Sequence, residues 1–315
     1  MRNLRFAFLA PLALAFVLPA FAGDRKSYPM NVPAAGVESV VFDVQEGDFF
    51  LRGDPTATEV RMNVSIDRAW IFKLGELDIL KKLITVSGQG TRELKITTDI
   101  PRSLSNWGRA RYPIDFEVVV PAGVKLRLQD TSGKIELMGM QGDVEISDGS
   151  GTLSVWDLGS SLRVRKQSGD IRVADVRGAT VINSHSGQIH LARLAALTIE
   201  DSDGNLDISD VASARIHNRG GNLNVQRVQG DLEIDDDSGE IVVADVLGAL
   251  HIRDTSGQIR TTRTGPVTIQ DTSGDVTVAQ AASLHIGAKE SGEVMVRGLR
   301  GPVEAAPGVK VKPLQ

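Results

Sequence analysis

The sequence predicts an all-β fold, a parallel β-solenoid (a flattened β-helix) of about ten coils, and three observations predict it. Glycine recurs at 133, 151, 169, 187, 204, 221, 239, 257, 274 and 292, at intervals of only 17 or 18 residues. Behind each of these glycines, aliphatic residues alternate with polar ones at fixed offsets. After Val124 the only aromatic residue is Trp156. A fixed period of this size marks a repeat protein in which each repeat is one coil. The alternation marks strands, and the scarcity of rings marks a core slot too thin to hold them.

Residues 1–22 are expected to be a secretory signal peptide. Arg2 and Arg5 precede an apolar run from Phe6 to Val17, and Ala20-Phe21-Ala22 forms a small-residue cleavage site before Gly23. The run is too short, and too broken by Pro11 and Pro19, to read as a membrane span. No later segment is long and apolar enough to span a bilayer, and no cysteine follows to carry a lipid. The expected destination is the periplasm or the cell exterior.

Residues 23–123 are expected to form a β-rich N-terminal cap and first strands. Alternation appears in Val40–Val44, Phe49–Leu51, Val60–Ile66, Leu94–Ile96 and Ile114–Val120. A cap is needed because the first coil would otherwise offer an open edge to other chains. Within this region, Leu74, Leu77, Leu80 and Ile84 stand at helical spacing, so a short helix is expected over 70–84. Residues 101–112, with Arg102, Trp107, Arg109, Arg111 and Tyr112, read as an exposed loop.

Residues 124–301 carry the repeats. Two and four residues after the anchor glycines stand pairs such as Ile135 and Leu137, Leu153 and Val155, Ile171 and Val173, Ile241 and Val243, and Val276 and Val278. A second small residue follows about nine residues after the anchor, as at Gly142, Ser160, Gly178, Gly230 and Gly248, and a second alternating pair comes behind it. Two strands and two small-residue corners per coil imply two parallel sheets facing each other across an aliphatic core. Asp-Thr-Ser-Gly occurs at 130–133, 254–257 and 271–274. In such turns Asp and Ser cap backbone donors and Gly supplies positive φ. Gly133, Gly151, Gly169, Gly187, Gly239, Gly257, Gly274 and Gly292 are therefore expected as structural turn residues. Residues 302–315, with Pro302, Pro307, Lys310, Lys312 and Pro313, read as a C-terminal cap or tail, Pro and Lys being common at blunted edges.

These features resemble the bacterial putative-adhesin family of exported β-solenoids with repeated Ser-Gly-[Asp/Glu]-Ile-x-Val units. The resemblance rests on the Asp-Thr-Ser-Gly turns, Ser168-Gly169-Asp170-Ile171-Arg172-Val173, Ser238-Gly239-Glu240-Ile241-Val242-Val243, and the entry strand Phe116–Val124. It implies an exported solenoid and carries over no catalytic residue.

Composition excludes several chemistries. The chain has no Cys, so disulfides, thiolate zinc sites and Cys nucleophiles are absent. Removing residues 1–22 leaves 33 basic and 40 acidic residues without a basic cluster, so nucleic acid is not an expected partner. The five His, at 185, 190, 217, 251 and 285, fall at different coil positions rather than converging, so no metal ligand set is expected. Asp235, Asp236 and Asp237 read as solvated turn-capping residues. An Asp or Asn stands three residues before several anchors (Asp130, Asp148, Asp201, Asn218, Asp236, Asp254, Asp271), which reads as turn capping, with a calcium-holding ladder as the competing account.

The expected function is non-enzymatic: an exported or envelope scaffold, adhesin-like, that needs no cofactor and binds a protein or a glycan along a regular polar surface. A carbohydrate-active β-helix enzyme is the first alternative, but the intervals never exceed 18 residues, which leaves no insertion to build a cleft. A structural element that assembles end to end is the second. The candidate contact residues are Trp156 on the solenoid and Trp107, Arg109 and Arg111 in the loop.

Overall fold

A computed structural model describes residues 25–67, 83–99, 114–200 and 203–314. The signal peptide expected at 1–22, the loop expected at 101–112 and nearly all of the helix expected at 70–84 lie outside these residues. Of that last stretch, Ile84 opens a strand, so the helical spacing does not extend to it.

The chain is all β, and its parallel solenoid has two faces. It begins with β1 (Arg25–Pro33), β2 (Ser39–Asp43), β3 (Phe49–Asp54), β4 (Glu59–Asp67), β5 (Ile84–Ser87), β6 (Glu93–Thr98) and β7 (Asp115–Pro121). There follow β8 (Lys125–Met138), β9 (Val144–Leu158), β10 (Leu162–Lys166), β11 (Ile171–Val176), β12 (Thr180–Ser184), β13 (Ser186–Glu200) and β14 (Asp203–Asn218). The last are β15 (Leu223–Val228), β16 (Leu232–Val246), β17 (Leu250–Ser273), β18 (Val276–Ala288), β19 (Val294–Arg297), β20 (Val303–Ala305) and β21 (Val311–Pro313).

A front ladder stacks β7, β3, the second half of β8, the second half of β9, β11 and the first half of β13, all parallel. It continues through β14, β15, the second half of β16, the middle of β17, the first half of β18, β19 and β21. The back ladder runs from β6 and β2 through the first halves of β8 and β9, β10, β12, the second halves of β13 and β14, and then β16, β17, β18 and β20. Long strands such as β16 therefore belong to both sheets: each bends round the glycine corner without breaking.

Register keeps like residues in columns. Ile135, Leu153, Ile171, Ile189, Leu206, Leu223, Ile241, Ile259, Val276 and Val294 stack inward on the front sheet, each at most 1% exposed. Ile182, Ile199, Ile216, Ile234, Ile252, Ile269 and Ile286 face them from the back sheet. One coil buries too little apolar surface to offset the entropy of ordering its backbone; stacked neighbours, sharing hydrogen bonds and both core faces, supply the rest.

Both ladders continue N-terminally of the glycine-anchored repeats. There the slot widens and holds rings, with Phe42 edge-on to Phe49 at 5.0 Å and Phe116 5.7 Å from Phe49. The spatial order departs from chain order: β3 lies between β7 and β8, and β2 between β6 and β8. Beyond β7 and β6 the pairing turns antiparallel, through β4 and β1 on one sheet and β5 on the other. At the far end β20 and β21 add short strands bounded by Pro302 and Pro313.

Candidate functional site

The corners and one outer face carry the chemistry. At the glycine corner the backbones of successive coils nearly touch. Gly151 has φ 112°, and a Cβ placed there would overlap the carbonyl of Gly133; Gly257, at φ 151°, meets Gly239 in the same way. Only a residue without a side chain fits such a stack.

Three residues before most of the anchor glycines, a polar column points into the corner rather than out; Asp201 lies outside the described residues. Asp130, Asp148, Lys166, Ser184, Asn218, Asp236, Asp254 and Asp271 are all buried. This corrects the reading of the acids at 235–237: Asp235 and Asp237 keep solvent contact, but Asp236 is 1% exposed. The capping role is present. Asp130 Oδ1 accepts from the Thr131 amide at 2.8 Å, and Asp254 Oδ1 from the Ser256 amide at 3.2 Å. Asp130 Oδ2, Asp236 Oδ2 and Asp254 Oδ2 are buried with no hydrogen-bond partner.

Burial dominates the electrostatics of this column. It pushes Asp130 up to about 8, with the Asp148 charge adding to it; Asp236 up to about 7; and Asp254 up to about 6, with Asp271 adding to it. Two lysines relieve the column. Lys166 forms a fully buried ion pair with Asp148, and Lys289 Nζ lies 2.5 Å from Asp271 Oδ2. Asn218 Nδ2 donates to Asp236 Oδ1 at 2.7 Å. Among the described residues no group of three or more His, Asp or Glu is placed to hold a metal ion. If the column serves to cap the turn, as Asp130 and Asp254 do, a chelator should leave the melting temperature unchanged; a fall of several degrees would restore the calcium account, since an ion held only by the folded state stabilises it by mass action.

The opposite corner holds a column that the sequence reading missed. Six residues after the anchors, Asp157, Asp175, Arg193, Asp210, Arg227, Asp245, Arg263 and Gln280 all take left-handed backbone, φ 53° to 59°. Most side chains resist this conformation, so the tight corner is imposing it. Alternating charge follows. Arg193 grips Asp175 through two bonds at 2.6 and 2.7 Å, Arg227 grips Asp210 at 2.7 and 2.8 Å, and Arg263 grips Asp245 at 2.5 and 2.8 Å. These bonds hold the three carboxyls below their ordinary range.

Beside this column, the outer front face forms a shallow trough of about 550 Å³. Its floor is one register column: Trp156, then Ala174, Ala192 and Ser209 on successive coils. Trp156 sits outside because Leu153 and Val155 take the inward positions of β9. The bulky ring followed by three small residues makes the hollow. Arg172, His190 and Asp207 line one side, Asp175 and Arg193 the other, and Glu136 lies at the Trp156 end. Of the expected contact residues the structure thus places Trp156; Trp107, Arg109 and Arg111 lie outside the described residues. The five His are exposed, and His190 alone lines the trough.

Residues 126–297 match the family model described as Toastrack DUF4097, more than half of the chain. No curated protein matches. Among solved structures, a "putative adhesin" from Parabacteroides distasonis is similar at 11% identity, over 93% of this chain and 98% of that one, with a TM-score of 0.33. One from Parabacteroides merdae has 11% identity over 93% and 98%, TM-score 0.28. A "putative cell adhesion protein" from Clostridium sporogenes has 9% identity over 68% and 100%, TM-score 0.29.

Proposed function

This chain belongs to the Toastrack DUF4097 family, whose model matches residues 126–297, and we propose that it is an exported, non-enzymatic binding scaffold of the cell envelope, adhesin-like in role, whose front face is the contact surface. The signal peptide expected at residues 1–22 supports export. The observation that carries the binding role is the trough headed by Trp156: the one aromatic of the repeats stands partly exposed on the outer face, above a floor of small side chains.

The disposition of the acids supports a non-enzymatic reading. Glycosidic cleavage uses a carboxylic acid with a raised pKa to protonate the leaving oxygen. In this chain the carboxyls with raised values are all buried, Asp130, Asp148, Asp236, Asp254 and Asp271 inside the corner and Asp115 on β7. At the trough itself, Asp175 is pinned by Arg193 and held ionised. The carboxyls with raised values and the trough are on different parts of the molecule.

Purified residues 23–315 are expected to co-sediment with isolated bacterial envelopes. Ala192→Arg, which fills the trough floor, should abolish this while circular dichroism and melting temperature hold. Equal retention of the variant would overturn the front-face reading.

A further inference from the structure

Resting on that reading, we infer that the trough is a site for an uncharged oligosaccharide lying along the solenoid axis, with one sugar ring stacked on Trp156. The floor is a straight column: Trp156, Ala174, Ala192 and Ser209 are register partners on consecutive coils, about 4.8 Å apart. An extended chain can follow it without bending. The indole face carries the negative side of the ring quadrupole and attracts the C–H face of a pyranose. The rims bear planar hydrogen-bonding groups suited to hydroxyls, namely Arg172, His190, Asp207, Asp175 and Arg193.

Charge decides the ligand class. Most charged groups on the rims already have an opposite partner: Arg193 with Asp175, Arg172 with Asp170 at 3.6 Å, and Glu136 with Lys134; Asp207 accepts from Asn224 Nδ2 at 3.1 Å and lies 3.7 Å from His190 Nδ1. The trough presents donors and acceptors with little net charge, Asp207 being the one carboxylate without a lysine or arginine partner, so an ionic polymer gains little there. A peptide strand finds no edge to join, because the front strands beneath the trough are paired on both sides. An amphipathic helix would need several large apolar side chains, and the floor has one.

Titration calorimetry with cellohexaose and chitohexaose, at low and high salt, tests this. At least one should bind, with salt changing the affinity less than about twofold. Trp156→Ala should weaken it at least about tenfold, whereas Trp156→Phe, which keeps a ring, should lose less. Binding indifferent to Trp156→Ala, or binding that collapses in salt, would overturn the inference. So would no binding of either sugar. If the sugars fail while envelopes still co-sediment, the ligand class is wrong and the scaffold reading stands; if neither binds, both fall.

Discussion

Val243→Asp is expected to leave the protein unfolded at ambient temperature. Val243 is 1% exposed and points into the slot from β16, stacked between Val225 and Thr261 of the adjoining coils. An Asp there places a carboxylate among aliphatic side chains with no cation to meet it, at a cost of several kcal/mol. A domain's whole stability is only about 5 to 15 kcal/mol. Glu240→Gln is the control: Glu240 sits on the outer face of the same strand and pairs with the exposed Arg260, so its loss should cost less than about 1 kcal/mol. Denaturant unfolding of both variants checks the assignment. Similar midpoints would mean that the faces of β16 are reversed.

Asp254→Asn should do the opposite and stabilise the protein, with a gain that grows from about pH 4 and is complete a little above pH 6. Asp254 lies in the buried column between Asp236 and Asp271, and burial raises its pKa to about 6. A carboxyl whose folded value exceeds its unfolded value of about 3.9 contributes stability that is complete below that unfolded value and is lost as pH rises through the folded one. With Asp236 at about 7 and Asp130 at about 8, the column as a whole should make the protein less stable from about pH 4 to about pH 8. The externally paired acids Asp175, Asp210 and Asp245, whose values are lowered, act with the other sign and only at more acid pH. Asn keeps the shape, carries no charge and can donate to its neighbours, as Asn218 does to Asp236. The variant should gain about 2 kcal/mol near pH 8 and nothing near pH 4. A gain independent of pH would show that packing, not ionisation, is responsible.

The sequence made some of these columns plain and concealed others, for physical reasons. The glycine corner was legible because Gly151 and its equivalents occupy a place that no other residue fits, so the period is written in one residue type. The inward aliphatic pairs were equally plain, since Ile241 and Val243 alternate with Glu240 and Val242. The left-handed corner left no such mark: Asp, Arg and Gln all occupy it, and only the repeated offset of six residues from the glycine betrays it. The buried acids were misread for a different reason. Asp and Ser beside Gly look like a solvated turn, but Leu232, Ile234 and Asp236 share one parity, as do Leu250, Ile252 and Asp254. The strand alternation runs straight through the corner, and extending it by one step places the carboxyl inside. Trp156 was visible as the lone ring, whereas the hollow beside it depends on Ala174, Ala192 and Ser209, which become neighbours only once coils stack.

The two ends of the rod should answer differently to force. At the C-terminal end, β21 and β20 are the last rungs, each joined to one neighbour, so a pull on residue 314 breaks one rung after another and peels the coils singly. At the other end, the stretch from β2 to β3 is clamped between β6 and β7 on one side and β8 on the other. Drawing it out means shearing two rows of hydrogen bonds at once. A scaffold loaded through its N-terminus would first lose β1, which pairs with β4 alone, and then hold at β2 and β3 while its outer coils gave way, rewinding in turn when the load is released.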